Sequence, residues 1–210
     1  MKKLKMGMVG GGQGSFIGDV HRRASRIDGM IDLVCGAFSS NPERSLKSAE
    51  ALGVAPERAY KSFEDMIKKE AELPEDERMD FVSIVTPNHM HFPPAKMALE
   101  YGFHVICDKP VTLSLEEAFD LQKAVKESGK VFALTHNYTG YPMVKQARLM
   151  IQNGELGDIR KVVVQYLQGW MSTAVEETEH KGASWRVDPS KSGIGGALGD
   201  IGTHAENLTE

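Results

Sequence analysis

The chain has 210 residues, a net charge of −4 and 41% hydrophobic residues. This length and hydrophobic content suffice for one large domain, or for one domain and part of another. Lysines and arginines are spread along the chain instead of forming a basic patch, which argues against a nucleic-acid-binding protein. No apolar run reaches the roughly 18 residues that a membrane-spanning helix needs, so we expect a cytoplasmic protein with no membrane partner.

Five short apolar runs alternate with longer amphipathic segments in the first part of the chain. The runs are residues 6–9, 31–38, 81–85, 104–107 and 131–135. Continuous apolar runs of this length are typical of strands that are covered on both faces, as in a parallel sheet. Helices between parallel strands imply right-handed crossovers. The pattern therefore predicts an α/β fold with a doubly wound parallel sheet of the Rossmann type.

Helix ends and buried thiols can also be predicted in this part of the chain. Ser62 and Ser114 each stand three residues before a carboxylate, a pattern typical of the first residue of a helix. The second of these helices is expected to end at Gly129, because glycine adopts the left-handed conformation of a helix end. Cys35 and Cys107 lie inside apolar runs and are expected to be buried, reduced thiols.

The pattern changes after the fifth apolar run. Residues 142–153 predict a helix, and residues 159–167 predict a long strand whose side chains partly alternate in polarity. We therefore predict a domain boundary near Asn137, with one domain over residues 1–136 and part of a second over residues 137–210.

A glycine-rich segment follows the first predicted strand and leads into a helix. Glycines let the backbone turn sharply and approach a pyrophosphate, and the N-terminus of the helix offers N–H groups to that anion. In the usual G-x-G-x-x-G spacing from Gly10 and Gly12, the third glycine position falls on Ser15, and three extra residues before Gly18 restore the pattern. The segment predicts a dinucleotide site, with contacts at Gly10, Gly12, Gln13, Gly14, Ser15, Phe16 and Ile17.

The end of the second strand bears on the choice between NAD and NADP. An acidic side chain that binds the adenosine ribose is usual there. This chain has Ser39 and Ser40 instead, with no carboxylate before Glu43 and with Arg44 one helical turn on. Ser39, Ser40 and Arg44 are candidate cofactor contacts, and either nucleotide remains open. Alternatively, the two serines only cap the next helix.

Three further motifs follow in order along the chain. They are Thr86-Pro87-Asn88-His89-Met90-His91, Asp108-Lys109-Pro110 and a segment from Gly195 to His204 that includes Asp200. Together with the glycine-rich turn they resemble the T-P-N-x-x-H, E-K-P and G-G-x-x-x-D-x-G-x-H segments of the Gfo/Idh/MocA oxidoreductase family, which includes glucose–fructose oxidoreductase and inositol dehydrogenases. The resemblance implies an NAD(P)-dependent dehydrogenase that acts on a secondary alcohol of a sugar or cyclitol.

The resemblance implies that Lys109, Asp200 and His204 are the catalytic residues. Lys109 follows a buried strand, at the edge where open α/β sheets bind ligands, and would orient the substrate hydroxyl. His204 would be the general base, and Asp200, four residues earlier and one helical turn away, would position the substrate or the imidazole. Without the other motifs, Lys109 would be interpreted as a surface residue in an ion pair. Asp200 would be interpreted as a helix cap and His204 as a core histidine.

The remaining candidate contacts are weaker. The resemblance implies that the cofactor is also contacted by Thr86, Pro87, Asn88, His91, Asp108 and Lys109. Asn88 either binds the cofactor or caps the helix that starts near Pro93, and Asp108 is one methylene shorter than the usual glutamate. Tyr138, Trp185 and Arg186 are candidate substrate contacts, the last two in a predicted loop over residues 170–186 that also contains His180. No spacing typical of metal ligands is seen.

Members of the family continue beyond the D-x-x-x-H segment into an open, mostly antiparallel sheet of an α+β domain. We therefore expect the chain to be a truncated member, which would form a homo-oligomer when complete. Two other functions stay open: an NAD-dependent glycoside hydrolase of the same family, and a non-catalytic dinucleotide-binding regulator. The presence of all three catalytic candidates argues against the regulator.

Overall fold

The computed structural model describes residues 2–170, 172–178 and 181–210 of the chain. His180 lies outside these described residues. The chain divides into two compact units between Leu134 and Thr135, close to the predicted boundary. That the functional domains are residues 1–136 and 137–210 stays a prediction.

The described residues of the first unit form a five-stranded, all-parallel sheet with the order β2-β1-β3-β4-β5. The strands are β1 (Leu4–Gly10), β2 (Ile31–Ala37), β3 (Phe81–Val85), β4 (His104–Cys107) and β5 (Phe132–Leu134). Each strand overlaps one of the apolar runs, which confirms the predicted Rossmann-type α/β fold. The order of the strands reverses between β1 and β3, and open α/β sheets bind ligands outside the carboxyl ends of the strands at such a point.

Helices connect the strands of this sheet. They are α1 (Phe16–Arg26), α2 (Pro42–Ala51), α3 (Phe63–Glu72), α4 (Phe92–Glu100) and α5 (Leu115–Ser128). The side chain of Ser62 accepts from the N–H of Asp65 at the start of α3, and the side chain of Ser114 accepts from the N–H of Glu117 at the start of α5. Helix α5 ends at Gly129 with a φ of 63°. All three predicted helix ends are confirmed.

The core lies on both faces of the sheet. Strand β3 is buried along its whole length, because it is paired with β1 on one side and β4 on the other. Cys35 and Cys107 are both buried, as predicted. Burial raises the pKa of both thiols and therefore keeps them protonated.

The second unit contains α6 (Pro142–Gln152), α7 (Lys181–Arg186), α8 (Pro189–Ser192), a π-helical turn (Leu198–Gly202) and α9 (Thr203–Asn207). Helix α6 confirms the helix predicted over residues 142–153. Among the described residues of the chain, no helix is long and apolar enough to span a membrane.

Two predictions for the second unit are wrong. Residues 159–167 are not a strand, because the described parts of the chain offer them no neighbouring strand, and a strand is stable only when it pairs. The predicted loop over residues 170–186 ends in helix α7.

Asp200 and His204 both lie on helical turns, as expected. Asp200 lies in the π-helical turn, and His204 lies in helix α9, which follows that turn directly. The turn at Asp200 is therefore wider than a regular α-helical turn.

A buried carboxylate is the main polar feature of the first unit's core. The side chain of Glu70 is 0% exposed and pairs with the guanidinium of Arg58, which is 19% exposed. Glu70 also accepts hydrogen bonds from the hydroxyl of Tyr60 and the backbone N–H of Met79, each at 2.9 Å. The charge of Glu70 is thus compensated by one cation and two further donors.

We expect Arg58→Ala to lower the free energy of unfolding by about 3–5 kcal/mol, because it leaves a buried carboxylate without its cation. Urea unfolding followed by circular dichroism measures the change. Lys69→Ala is the matched control, since it removes the exposed pair between Lys69 and Asp65 and should cost less than about 1 kcal/mol. Equal losses in the two variants would contradict the expectation.

Candidate active site and cofactor site

The glycine-rich turn joins β1 to α1 at the carboxyl edge of the sheet. Gly10, Gly11 and Gly14 have φ values of 79°, 73° and 77°, in the left-handed region that favours glycine. The N–H of Gly12 donates to the carbonyl of Phe38 at 3.2 Å, at the end of β2. These contacts hold the turn against the neighbouring strand, so the backbone of the protein itself sets the shape of the turn.

Helix α1 packs directly on this turn. A Cβ at Gly18 would lie 2.4 Å from the Cα of Gly11, which is far inside van der Waals contact. Gly18 therefore has the structural role of the third glycine in a dinucleotide-binding turn, which is close packing between helix and strand. Ser15, at the position where the simple spacing puts that glycine, is the N-cap of α1 and accepts from the N–H of Gly18 at 3.2 Å.

A buried arginine supports the turn from below. Arg22 is 8% exposed, and its Nη1 donates to the carbonyl of Gly11 at 2.5 Å. Burial lowers the pKa of Arg22, and Asp19 partly offsets that effect. Nothing in the sequence predicted this contact of Arg22, apart from its position one helical turn after Gly18.

The end of β2 carries the residues that bear on the choice of nucleotide. Helix α2 is capped by Asn41, whose side chain accepts from the N–H of Arg44 at 2.9 Å. The alternative in which Ser39 and Ser40 only cap this helix is therefore wrong. Ser39 instead accepts from the N–H of Asn41 at 3.2 Å, and the side chains of Ser40 and Arg44 are exposed.

The segments after β3 and β4 lie next to each other. Thr86 donates from its hydroxyl to the carbonyl of Met90 at 2.8 Å, and Asn88 is buried at the start of a short 3₁₀ turn. His91 is the N-cap residue of α4, and its own side chain makes no capping hydrogen bond. Asn88 is therefore not the N-cap residue of α4.

Lys109 and its neighbours leave the sheet just after β4. The carboxylate of Asp108 accepts from the backbone N–H of Lys109 at 2.9 Å, and the peptide bond between Lys109 and Pro110 is cis. The ring of His91 contacts the carbonyl oxygens of Pro110 and Thr86 at 2.6 and 2.9 Å. The structure thus brings Thr86, His91, Asp108 and Lys109 together at one edge of the sheet.

The predicted catalytic residues Asp200 and His204 both lie in the second unit. Asp200 accepts from Nε of Arg186 at 3.1 Å. The guanidinium of Arg186 lies 4.3 Å from the ring centroid of Trp185 and 5.5 Å from that of Trp170. Two candidate substrate residues, Trp185 and Arg186, therefore form one cluster with a candidate catalytic carboxylate.

His204 lies among aromatic rings and is 6% exposed. The ring of Tyr138 crosses it edge-on at a centroid distance of 4.7 Å, and the rings of His136 and Tyr166 follow at 5.9 and 6.2 Å. A hydrogen bond to the hydroxyl of Tyr166 raises the pKa of Tyr138 to about 12. His136 and Tyr166 were missed in the sequence, because only the tertiary fold brings them to His204.

Among the residues that the structure describes, no three histidine, cysteine or carboxylate side chains are grouped so that they could hold a metal ion. The polar groups near Lys109 and near His204 are hydrogen-bonding and acid–base groups. The chemistry available at both places is therefore binding, orientation and proton transfer.

Residues 4–146 match the model of an oxidoreductase family described as having an NAD-binding Rossmann fold. Residues 144–210 match the model of the GFO/IDH/MocA C-terminal domain. The fold and the motifs thus define an oxidoreductase-family protein with an NAD-binding Rossmann domain. The chain belongs to the Gfo/Idh/MocA family, as its motifs predicted.

Solved structures and curated relatives agree with this assignment. An inositol dehydrogenase homolog from Azotobacter vinelandii complexed with NAD+ is 41% identical, with a TM-score of 0.95 over 100% of this chain and 53% of that chain. A structure of an inositol dehydrogenase homolog from the same organism with NADH and myo-inositol is 40% identical, with a TM-score of 0.89 over 100% of this chain and 52% of that one. Levoglucosan dehydrogenase from Pseudarthrobacter phenanthrenivorans is 32% identical over 99% of this chain and 50% of its own length. The chain spans about half the length of the curated relatives it matches.

We expect Gly18→Ala to weaken the binding of reduced nicotinamide nucleotide at least about tenfold. The added methyl group forces α1 away from the turn, and overpacking of this kind costs about 1–3 kcal/mol. Nicotinamide fluorescence measures the Kd. Gly140→Ala is the control, because a Cβ at Gly140 meets nothing within 4 Å. A Gly18→Ala chain that binds as the unchanged chain does would contradict the expected clash.

The stability of the chain should fall as the pH drops below about 6.5. Burial lowers the pKa of His21 and His91, although Asp108 partly offsets this for both. The folded chain then binds fewer protons than the unfolded chain, so these histidines stabilise the fold above pH 6.5 and lose that effect as the pH falls through their lowered values. Each unit of lowered pKa corresponds to about 1.4 kcal/mol.

Melting temperatures between pH 7.5 and 5 measure this loss. The pKa of Asp188 is lowered to about 2 by its bond to Lys191. Asp188 therefore titrates at much lower pH and does not change the melting temperature over this range. His21→Gln should show a smaller fall, because glutamine takes up no proton. A melting temperature that stays constant or rises over this range would show that the two histidines titrate as they do in the unfolded chain.

Proposed function

We propose that the chain is the cofactor-binding domain and part of the catalytic domain of an NAD(P)-dependent dehydrogenase. Its reaction would be hydride transfer between the nicotinamide and a secondary alcohol of a sugar or cyclitol. The observation that carries the proposal is the contact of α1 with the glycine-rich turn, at the point where the strand order reverses. A substrate of this class is supported by the homolog that binds myo-inositol and by the relative named for levoglucosan.

The residues of the turn fit a dinucleotide. A Cβ at Gly12 would lie 2.7 Å from both the carbonyl of Phe38 and the hydroxyl of Ser48, so only a glycine allows the backbone to come this close. The N–H groups at the start of α1 are suited to a pyrophosphate. Ser39, Ser40 and Arg44 would lie toward the adenosine ribose. Because no carboxylate precedes Glu43 in this segment, we keep both NAD and NADP as candidates.

The bound cofactor would supply a hydride acceptor at its nicotinamide. The chain's own residues would manage the proton. His204 would take the proton of the substrate hydroxyl on a ring nitrogen, since imidazole is the side chain that most often serves as a general base. Lys109 would orient a substrate hydroxyl by donating a hydrogen bond to its oxygen.

Asp200 would act through its charge and its position. Its ion pair with Arg186 is partly buried, with the two side chains 19% and 30% exposed, so the carboxylate is compensated and held in place. The stacking of Arg186 on Trp185 restricts the guanidinium further. Asp200 would therefore be a fixed acceptor beside the substrate. Tyr138 is proposed as a substrate contact next to His204. The homo-oligomer expected for the complete protein stays a prediction.

The test is a separate titration of NADH and NADPH into the purified chain. Nicotinamide fluorescence and melting temperature are followed together, and a folded chain should gain about 2.7 kcal/mol of stability at a hundredfold excess of ligand over its Kd. Turnover is then measured with oxidised cofactor and myo-inositol, levoglucosan or free sugars. Absence of nucleotide binding by the folded chain would exclude the proposal.

Lys109→Met and His204→Gln separate binding from chemistry. Both variants should bind nucleotide within about twofold of the unchanged chain, and His204→Gln should lower kcat by about 10²–10⁴, the range of general acid–base catalysis. Full turnover in His204→Gln would remove that histidine from the mechanism. Bound nucleotide that never turns over with any alcohol would favour the glycoside hydrolase or the regulator.

A further inference from the structure

His91 lies between the two segments that leave the sheet after β3 and β4. It is 1% exposed. Its Nε2 lies 2.9 Å from the carbonyl oxygen of Thr86, and its Nδ1 lies 2.6 Å from that of Pro110. A carbonyl oxygen only accepts hydrogen bonds, so each contact needs a proton on the facing nitrogen. Donation to Pro110 therefore requires the proton on Nδ1, and donation to Thr86 requires it on Nε2.

Lys109 is held between two such backbone contacts. On one side its own N–H donates to the carboxylate of Asp108 at 2.9 Å. On the other side the carbonyl of the next residue, Pro110, is bound by His91. Because the backbone is held on both sides of Lys109, the position of its Cα, and with it the point from which its side chain leaves the backbone, is fixed as well.

We propose that His91 is a positioning residue, which ties the segment after β3 to the segment after β4 and thereby sets where Lys109 leaves the sheet. This differs from the cofactor contact expected for His91 from the sequence. A ring that is 1% exposed and has both nitrogens on backbone carbonyls is placed to hold backbone. The inference rests on the role proposed for Lys109 in the dehydrogenase reaction.

The charge on His91 decides how many of these bonds it donates. A neutral imidazole donates from one nitrogen only, and an imidazolium donates from both. Burial lowers the pKa of His91 most strongly and His89 lowers it further, whereas the two carbonyl bonds and Asp108 raise it. With the proton on Nδ1, the neutral ring keeps the shorter contact, to Pro110, which is the contact that holds Lys109.

The test compares His91→Phe, which has no donor, with His91→Gln, which keeps one. The readout is the rate at which an amine-reactive reagent labels Lys109 in the purified chain, mapped by mass spectrometry. We expect labelling to be about fivefold faster in His91→Phe, the effect of losing one net hydrogen bond, and to return toward the original rate in His91→Gln. His104→Gln is the matched control, because His104 binds the N–H of Val131 from the opposite end of β4 and should leave the labelling of Lys109 unchanged.

Nucleotide binding and turnover distinguish positioning from direct contact. A positioning role predicts that kcat falls in His91→Phe while the Kd for NADH stays within about twofold. A selective rise in Kd with unchanged labelling would instead make His91 a cofactor contact and overturn the inference. Unchanged labelling in a folded His91→Phe chain overturns it too.

His91→Asn serves if the phenylalanine variant does not fold, because its shorter side chain cannot reach both carbonyls. Labelling of Lys109 at the original rate in a folded His91→Asn chain would likewise overturn the inference. If the unchanged chain neither binds nucleotide nor turns over an alcohol, the proposed function fails, and the labelling rates still decide the role of His91.

Discussion

The packing of α1 on the glycine-rich turn is the constraint on which the rest of the first unit depends. At Gly18 the helix comes so close to Gly11 that no side chain fits between them. Arg22 fixes the same turn by donating to the carbonyl of Gly11. The N–H groups at the start of α1 are thereby aimed at the edge where β1, β3 and β4 end. Movement of α1 by the width of one methyl group would misplace all of these groups together.

The second unit depends on a different constraint, because its charged groups are held in place while they are partly buried. Asp200 is compensated by Arg186, and Arg186 is in turn stacked on Trp185. An arginine suits this role better than a lysine. Its planar guanidinium can stack on an aromatic ring with its face and donate hydrogen bonds in its own plane at the same time. The aromatic rings around His204 restrict its imidazole by packing against it.

Local signals made most of the first unit predictable. Continuous apolar runs located the strands because each strand is covered on both faces. Ser62, Ser114 and Gly129 marked helix ends because capping depends on residues only a few positions apart. The glycine-rich turn could be predicted for the same reason, although its third glycine, Gly18, is displaced by three residues from the usual spacing.

The features that sequence reasoning missed depend on partners far along the chain. Residues 159–167 have the composition of a strand, but composition cannot supply the neighbouring strand that they need. The π-helical turn at Asp200 leaves no mark in the residue pattern. His136 and Tyr166 meet His204 only after folding. The candidate catalytic residues were identified through motifs, and their surroundings required coordinates.

The buried thiols have a practical consequence for spectroscopy. A thiolate is the species that reacts with maleimides and iodoacetamides, and burial keeps both Cys35 and Cys107 in the thiol form and away from solvent. The native cysteines thus react very slowly with such reagents. A single cysteine placed at an exposed position such as Ile27, which is 86% exposed, would accept a fluorophore or spin label selectively. With a second such cysteine in the other unit, the distance between the two labels could be measured in solution without removing either native cysteine.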